Sequence, residues 1–268
     1  METMLGFFNR PFLPLPLEEA LTAIQSCGTN HVGLLGRPGG GAYVEWNTPY
    51  SEIEEMHRLF DARGMRLHAV LAHVSFDVDK DEAIKRYQQF IDRAVAVGAK
   101  HLLEMGAHKP ETYDTYIEIM KAVSPYAHER GLIIGIKPHG GISTSGSETA
   151  DVVNRVGHPG FQAWYDPGNI LYYKQLDPVA EARYFDGITV GVCVKDCVIE
   201  ADGKPSVNVT PGSGQVDFEA VFRVLKEGGF TGGPCLIETL GPQDPEGAVQ
   251  AGKLGLGYIA GVLERVGF

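Results

Sequence analysis

Short apolar runs alternate with amphipathic segments along the whole chain at roughly 30 residues per cycle. Such a rhythm lays each strand parallel to the one before, with a helix crossing over in between. The strand candidates are MLGFFN (4–9), HVGLLG (31–36), RLHAVLAHV (66–74), HLLEMG (101–106), LIIGIKPHG (132–140), FQAWYD (161–166), ITVGVCVKD (188–196) and PCLIET (234–239). Eight cycles, with no composition shift or linker between them, predict a single (β/α)8 TIM barrel of the α/β class over residues 1–268. An open doubly wound sheet is disfavoured, because no GxGxxG follows the first strand.

Helix signals agree with this reading. Ile84, Tyr87, Ile91, Ala94 and Val95 share one face of the segment after Asp81. Ser51-Glu52-Ile53-Glu54 has capping-box spacing, and Gly28, Gly64, Gly98, Gly131 and Gly157 each follow a helical stretch where a left-handed cap is wanted. Gly39-Gly40-Gly41 after Arg37 predicts a lid-like loop over the barrel mouth.

Charge narrows the partners. With 23 Lys and Arg against 34 Asp and Glu the chain carries −11, and no Lys/Arg run is interleaved with aromatics. That excludes nucleic acid and points to a small neutral or singly anionic molecule. The four cysteines contain no CxxC pair, and the apolar residues of the first 17 positions are broken by Asn9, Arg10 and prolines, so no signal-peptide core forms. No stretch approaches the length of a membrane span. The expectation is a reduced, cytoplasmic protein without a membrane partner, compatible with a homo-oligomer.

In barrels of this kind chemistry sits at the C-terminal ends of the strands. Side chains alternate along a strand, so if Leu67, Ala69 and Leu71 line the barrel, His73 does too. By the same parity Leu102 pairs with Glu104, Gly135 with Lys137 and His139, Trp164 with Asp166, Cys193 with Lys195, and Leu236 with Glu238. Six successive strands thus deliver ionisable or sulfur side chains to one rim. Wet strand ends and helix N-caps account for Asp196. They account poorly for Glu104, Lys137 and Glu238, each inside an apolar stretch where an unpaired charge is costly.

The YDPGN turn at 165–169, the VKD at 194–196, the PGSGQVDF at 211–218 and the IET at 237–239 make the chain resemble the xylose-isomerase-like sugar isomerase/epimerase superfamily. The resemblance, over nearly the whole chain, implies one divalent metal held by a Glu on strand five, an Asp on strand six, a His on strand seven and a Glu on strand eight. Asp166 and Glu238 match. Lys137 stands at the strand-five Glu position and Cys193 at the strand-seven His position.

Two readings of that departure stand side by side. Lys137, Asp166, neutral Cys193 and Glu238 sum to −1 without an ion, the charge a metal-loaded Glu, Asp, His, Glu set would carry, so the ammonium replaces the ion. Alternatively Asp166, Cys193 and Glu238, joined by His139 or Glu104, form an altered site for manganese, zinc or magnesium. The resemblance implies an enzyme abstracting a proton next to a carbonyl of a sugar or keto-sugar, by isomerisation, epimerisation or elimination. Glu238 is the candidate base, Lys137 the enolate stabiliser and His139 the proton shuttle. Trp164 is expected to pack on the sugar ring, and His73, Glu104, Asn169 and Lys195 to bind substrate. The competing reading is a non-catalytic sugar-binding barrel with a decayed metal site, which should look solvated around Lys137.

Overall fold

The computed structural model describes residues 3–242 and 244–268. The barrel strands are β1 (Met4–Phe8), β2 (His31–Leu34), β3 (Arg66–Ala72), β4 (His101–Glu104), β5 (Ile133–Ile136), β6 (Phe161–Tyr165) and β7 (Thr189–Val194). A small antiparallel ribbon of β8 (Val198–Ile199) and β9 (Pro205–Ser206) then precedes the last barrel strand, β10 (Pro234–Ile237). The barrel closes by parallel pairing of β10 with both β7 and β1. Around it run α1 (Leu17–Ser26), α2 (Tyr50–Ala62), α3 (Lys80–Ala96), α4 (Tyr113–Glu129), α5 (Gly146–Val156), α6 (Pro167–Lys174), α7 (Pro178–Glu181), α8 (Phe218–Glu227) and α9 (Pro245–Val266). No helix among the described residues is long and apolar enough to cross a membrane.

Every expected strand is present, and all eight stop short of their expected C-terminal ends; β5 ends at Ile136 rather than 140. The polar residues at the mouth leave the ladder to make side-chain and loop contacts. The five helix-stopping glycines all have positive φ, from 61° at Gly64 to 103° at Gly28. The capping box at Ser51 does not form: α2 starts at Tyr50 behind Pro49 and has no side-chain cap, so Ser51 lies already inside the first turn. A true box caps α5 instead, through Ser145 and Glu148. In α3 the buried face runs through Tyr87, Phe90, Ile91 and Ala94, while Val95 is exposed. The glycine loop after Arg37 is a short turn clamped by the Arg37 guanidinium on the carbonyls of Ala42 and Tyr43.

The core has two layers, as a barrel with both sheet faces covered requires. An outer layer packs strands against helices. An inner cluster of Phe8, Leu35, Ala69, Leu103, Trp164, Cys193 and Leu236 fills the barrel. Trp164 belongs to this plug and not to the mouth. It is fully buried, and its indole lies where a Cβ at Gly135 or Gly191 would come within 2.4 and 2.5 Å of it. Its N–H reaches His101 Nδ1 at 3.4 Å. Trp164 stands two residues before Asp166, so its side chain leaves the strand roughly 6–7 Å deeper along the barrel. The expectation that it packs on a sugar ring is therefore corrected.

The parity assumed for β4 is also corrected. Leu103 is the inner residue, and Glu104 turns outward with Leu102, between the barrel wall and α3 and α4. Its carboxyl accepts from Tyr87 Oη at 2.8 Å and Tyr116 Oη at 3.4 Å. Glu104 is thus held by these two tyrosines and is not grouped with Asp166, Cys193 and Glu238 as a metal donor, while the residue contributes to the lining of a pocket over the ends of β3 and β4. Burial pushes its pKa up to about 7, against a smaller lowering by its hydrogen bonds from Tyr87, the Gly106 amide and Tyr116. Between about 4.5 and 7 the folded chain then binds more protons here than the unfolded one. This contribution is full below pH 4.5 and is lost as pH rises through 7. Glu104→Gln, which keeps a hydrogen-bonding amide, is expected to gain about 1–3 kcal/mol over the parent at pH 8.5 and little at pH 5. Urea unfolding at the two pH values checks this; a pH-independent difference would refute it.

Candidate active site

At the C-terminal end of the barrel β5, β6, β7 and β10 bring five charged and polar side chains into one dry cluster. Lys137, just past β5, donates to Asp166 Oδ2 at 3.0 Å and to Glu238 Oε2 at 2.5 Å. Lys195, just past β7, donates to Asp166 Oδ2 at 3.1 Å, Glu238 Oε1 at 2.8 Å and Asn169 Oδ1 at 3.1 Å. Asp166 is also the N-cap of α6, its Oδ1 accepting from the Asn169 amide at 3.0 Å. The Asn169 side chain donates to the Pro138 carbonyl at 2.7 Å, which fixes its oxygen toward Lys195. Cys193 lies alongside, its sulfur within 4.8 Å of donor atoms of Asp166 and Glu238. All of these are buried, so Glu238 does not stand at a wet strand end.

Sequence reasoning missed one member. Arg10, two residues past the end of β1, donates from Nη1 to Glu238 Oε1 at 3.0 Å. The signal was present, since Arg10 is the first charged residue past the end of the first strand. Its side chain is 43% exposed, against 0% for Lys137.

The electrostatics follow from mutual contact. Burial alone would raise the Glu238 carboxyl, but Lys137 and Lys195 hold it well below the usual range. Burial disfavours the Lys137 charge, yet the Glu238 and Asp166 carboxylates in contact with it more than offset this and raise its pKa well above 10.5. The Cys193 thiol is pushed far up by burial and stays protonated. His139, beside the cluster, is brought down to about 3, first by burial and then by the charges of Lys137 and Lys195. It is neutral, and its Nδ1 is buried without a hydrogen-bond partner.

His139 packs on His108 and on Tyr173, with ring centroids 5.7 and 5.6 Å apart. His108 in turn lines a pocket of about 460 Å³ over the ends of β3 and β4, together with Leu71, His73, Phe76, Met105 and Lys109. His73 lies past the end of β3, largely exposed, 3.4 Å from Glu45. Of the candidate residues, then, Lys137, Asp166, Asn169, Cys193, Lys195 and Glu238 come together, His139 adjoins them, His73 and Glu104 line the neighbouring pocket, and Trp164 lies deeper in the barrel.

Asp196 does not cap a helix. It gathers the backbone N–H groups of Cys197, Gly212, Gly214 and Val216 at 2.8–3.1 Å, and so ties the 211–217 loop to the end of β7. A Cβ at Gly214 would meet Asp196 Oδ1 at 2.2 Å, which is why glycine stands there.

Residues 17–255 match the family described as Xylose isomerase-like TIM barrel. The chain belongs to that family. Solved structures with the same fold include a xylose isomerase domain protein from Planctomyces limnophilus, at TM-score 0.74 and 17% identity over 99% of this chain and 98% of that one. D-psicose 3-epimerase from Clostridium cellulolyticum, with D-tagatose, superposes at TM-score 0.77 and 11% identity over 97% and 99%. The probable 3-DHS dehydratase involved in petrobactin synthesis from Bacillus anthracis does so at 0.72 and 12% over 97% and 99%. No curated protein matches by sequence.

The divalent metal that the family resemblance implies does not fit these residues. Lys137 and Lys195 both hydrogen-bond the two carboxylates that would be its ligands. The third donor offered, Cys193, is held as a neutral thiol, whereas a metal needs the thiolate. A divalent ion here would face two ammonium groups at contact distance.

Proposed function

We propose that this family member is an enzyme that removes a proton from carbon next to a carbonyl of a sugar or sugar-derived ketone, with an ammonium group as its electrophile. The observation that carries the reading is the donor inventory of Lys137. An ammonium has three N–H groups, and Lys195 spends all three on Asp166, Glu238 and Asn169, whereas Lys137 spends two. The third N–H of Lys137 has no partner among the described residues, and this reading assigns it to a substrate oxygen. In a dry site a charged donor aimed at a developing enolate is worth far more than in water.

Glu238 serves this reading as the carboxylate that fixes both lysines; held by three cations, it is a weak base. His139 is the proton acceptor this geometry favours, because it adjoins the cluster and has a ring nitrogen without a partner; burial and the two ammonium charges make it a weak base as well, so the step relies on Lys137 stabilising the enolate. The pocket beyond His108 has room for the rest of a monosaccharide-sized molecule. A decayed, merely binding site should be wet around Lys137, and instead Lys137 is fully buried and doubly paired.

The test needs no knowledge of the product. The protein is incubated in D2O with a panel of ketoses and sugar-derived ketones, and loss of the C–H signal next to the carbonyl is followed by proton NMR. Exchange is expected with at least one member and is expected to fall at least about a hundredfold in His139→Ala. Binding without exchange across the panel would favour the non-catalytic reading.

A further inference from the structure

The cluster holds three cations, Lys137, Lys195 and Arg10, against two carboxylates, Asp166 and Glu238. Asp196, next to Lys195 in the chain, does not redress the balance. Its carboxylate bonds the backbone N–H groups of Cys197, Gly212, Gly214 and Val216 and no member of the cluster, and it makes no ion pair among the described residues. One positive charge is left over, a balance opposite to that of a site built for a cation.

The surplus lies where solvent reaches. Arg10 is the one member open at the mouth, and it spends a single N–H on Glu238 among the described residues. Most of the five guanidinium donors remain for a ligand. Arg10 and Lys137 also grip the two oxygens of the same carboxylate, Oε1 and Oε2 of Glu238. Both therefore stand on one carboxylate, Lys137 buried on one side of it and Arg10 on the side that solvent reaches.

We propose that this mouth binds a sugar acid whose ketone adjoins its carboxylate, a singly charged 2-keto acid. The carboxylate lies on the Arg10 fork, and the neighbouring ketone oxygen takes the third N–H of Lys137. A carboxylate answers a guanidinium with two parallel hydrogen bonds and returns the cluster to neutrality. The hydroxymethyl group that a neutral 2-ketose has in the same place does neither. The ketone half of this assignment rests on the proposed reaction, whereas the carboxylate half is a matter of binding alone.

The matched pair 2-keto-D-gluconate and D-fructose tests it, since both carry six carbons and a ketone at the second. Titration calorimetry of the full chain is expected to show the keto acid binding at least about tenfold more tightly, with Arg10→Gln removing most of the difference. Arg10 is half-exposed, so this variant is expected to fold, and its melting curve verifies that. Sulfate serves as the control for a nonspecific anion and is expected to compete poorly. Equal affinity for the pair, binding of neither, sulfate competing as well as the keto acid, or a preference that survives in Arg10→Gln would each overturn the proposal. Deuterium exchange separates the two readings. Tight keto-acid binding without exchange sinks the proposed reaction and leaves the anion site standing, while exchange into fructose without any acid preference does the reverse.

Discussion

Exchanging Lys137 for Met is expected to cost about 3–5 kcal/mol of folding stability and to lower proton exchange by at least about a hundredfold. The ammonium touches Asp166 and Glu238 in a site with no measurable exposure. Removing it leaves two buried carboxylates to share Lys195, whose three N–H groups are already committed. Methionine fills most of the volume of the lysine stem, so the loss reports the charge rather than a cavity. In a barrel of this size the midpoint of thermal unfolding is expected to fall by roughly 10 °C. The exchange assay is run well below that midpoint, on protein shown to be folded. A stability change under about 1 kcal/mol would mean that Lys195 and Arg10 compensate the carboxylates by themselves. Unchanged exchange in the folded variant would remove Lys137 from the chemistry.

The double variant Lys137→Glu with Cys193→His is expected to bind about one manganese or zinc ion per chain, while the parent binds none after dialysis against a strong chelator. The two substitutions supply a third carboxylate and an imidazole next to Asp166 and Glu238, a donor set such ions accept. They also reverse the charge balance, since one cation is lost and one anion gained. Metal at about a hundred times its dissociation constant is expected to stabilise the double variant by about 2.7 kcal/mol, read as a rise in melting temperature that the chelator abolishes. The parent is expected to melt at the same temperature with and without chelator. If the parent holds one metal per chain through dialysis, the ammonium does not stand in for an ion, and the pairing of Lys137 with both carboxylates must open to admit one.

The barrel was legible in the chain because its signal is repeated eight times, and an error at one strand end does not disturb the count. Site residues on β5, β6, β7 and β10 were legible for a related reason. Gly135, Trp164, Cys193 and Leu236 face the barrel interior, and counting by two from them lands on Lys137, Asp166, Lys195 and Glu238. The same count failed on β4. Both faces of a parallel strand are covered, so Leu102 and Leu103 are equally apolar, and nothing local says which one points inward. Taking Leu102 as the inner residue placed Glu104 on the wrong side of the wall. Trp164 failed differently: its facing was read correctly, and its depth, set by the glycines opposite, was not. Arg10 was overlooked because its one visible role, interrupting an apolar N-terminus, concealed that it follows a strand end.

The loop gathered by Asp196 has a consequence for how signatures of this kind are read. Four amides converge on one carboxylate, and glycine at 214 is demanded by the width of that gap. The last residues of VKD and the glycines of PGSGQVDF are thus two halves of a single fastening that closes the polypeptide between β7 and α8. None of its four bonds involves a side chain of the lysine–carboxylate cluster, so the fastening does not depend on what fills the neighbouring mouth. A chain can therefore exchange its entire electrophile and still display the lettering by which its kin are recognised, so that lettering attests to architecture, and the reaction has to be read from the residues it leaves free to change.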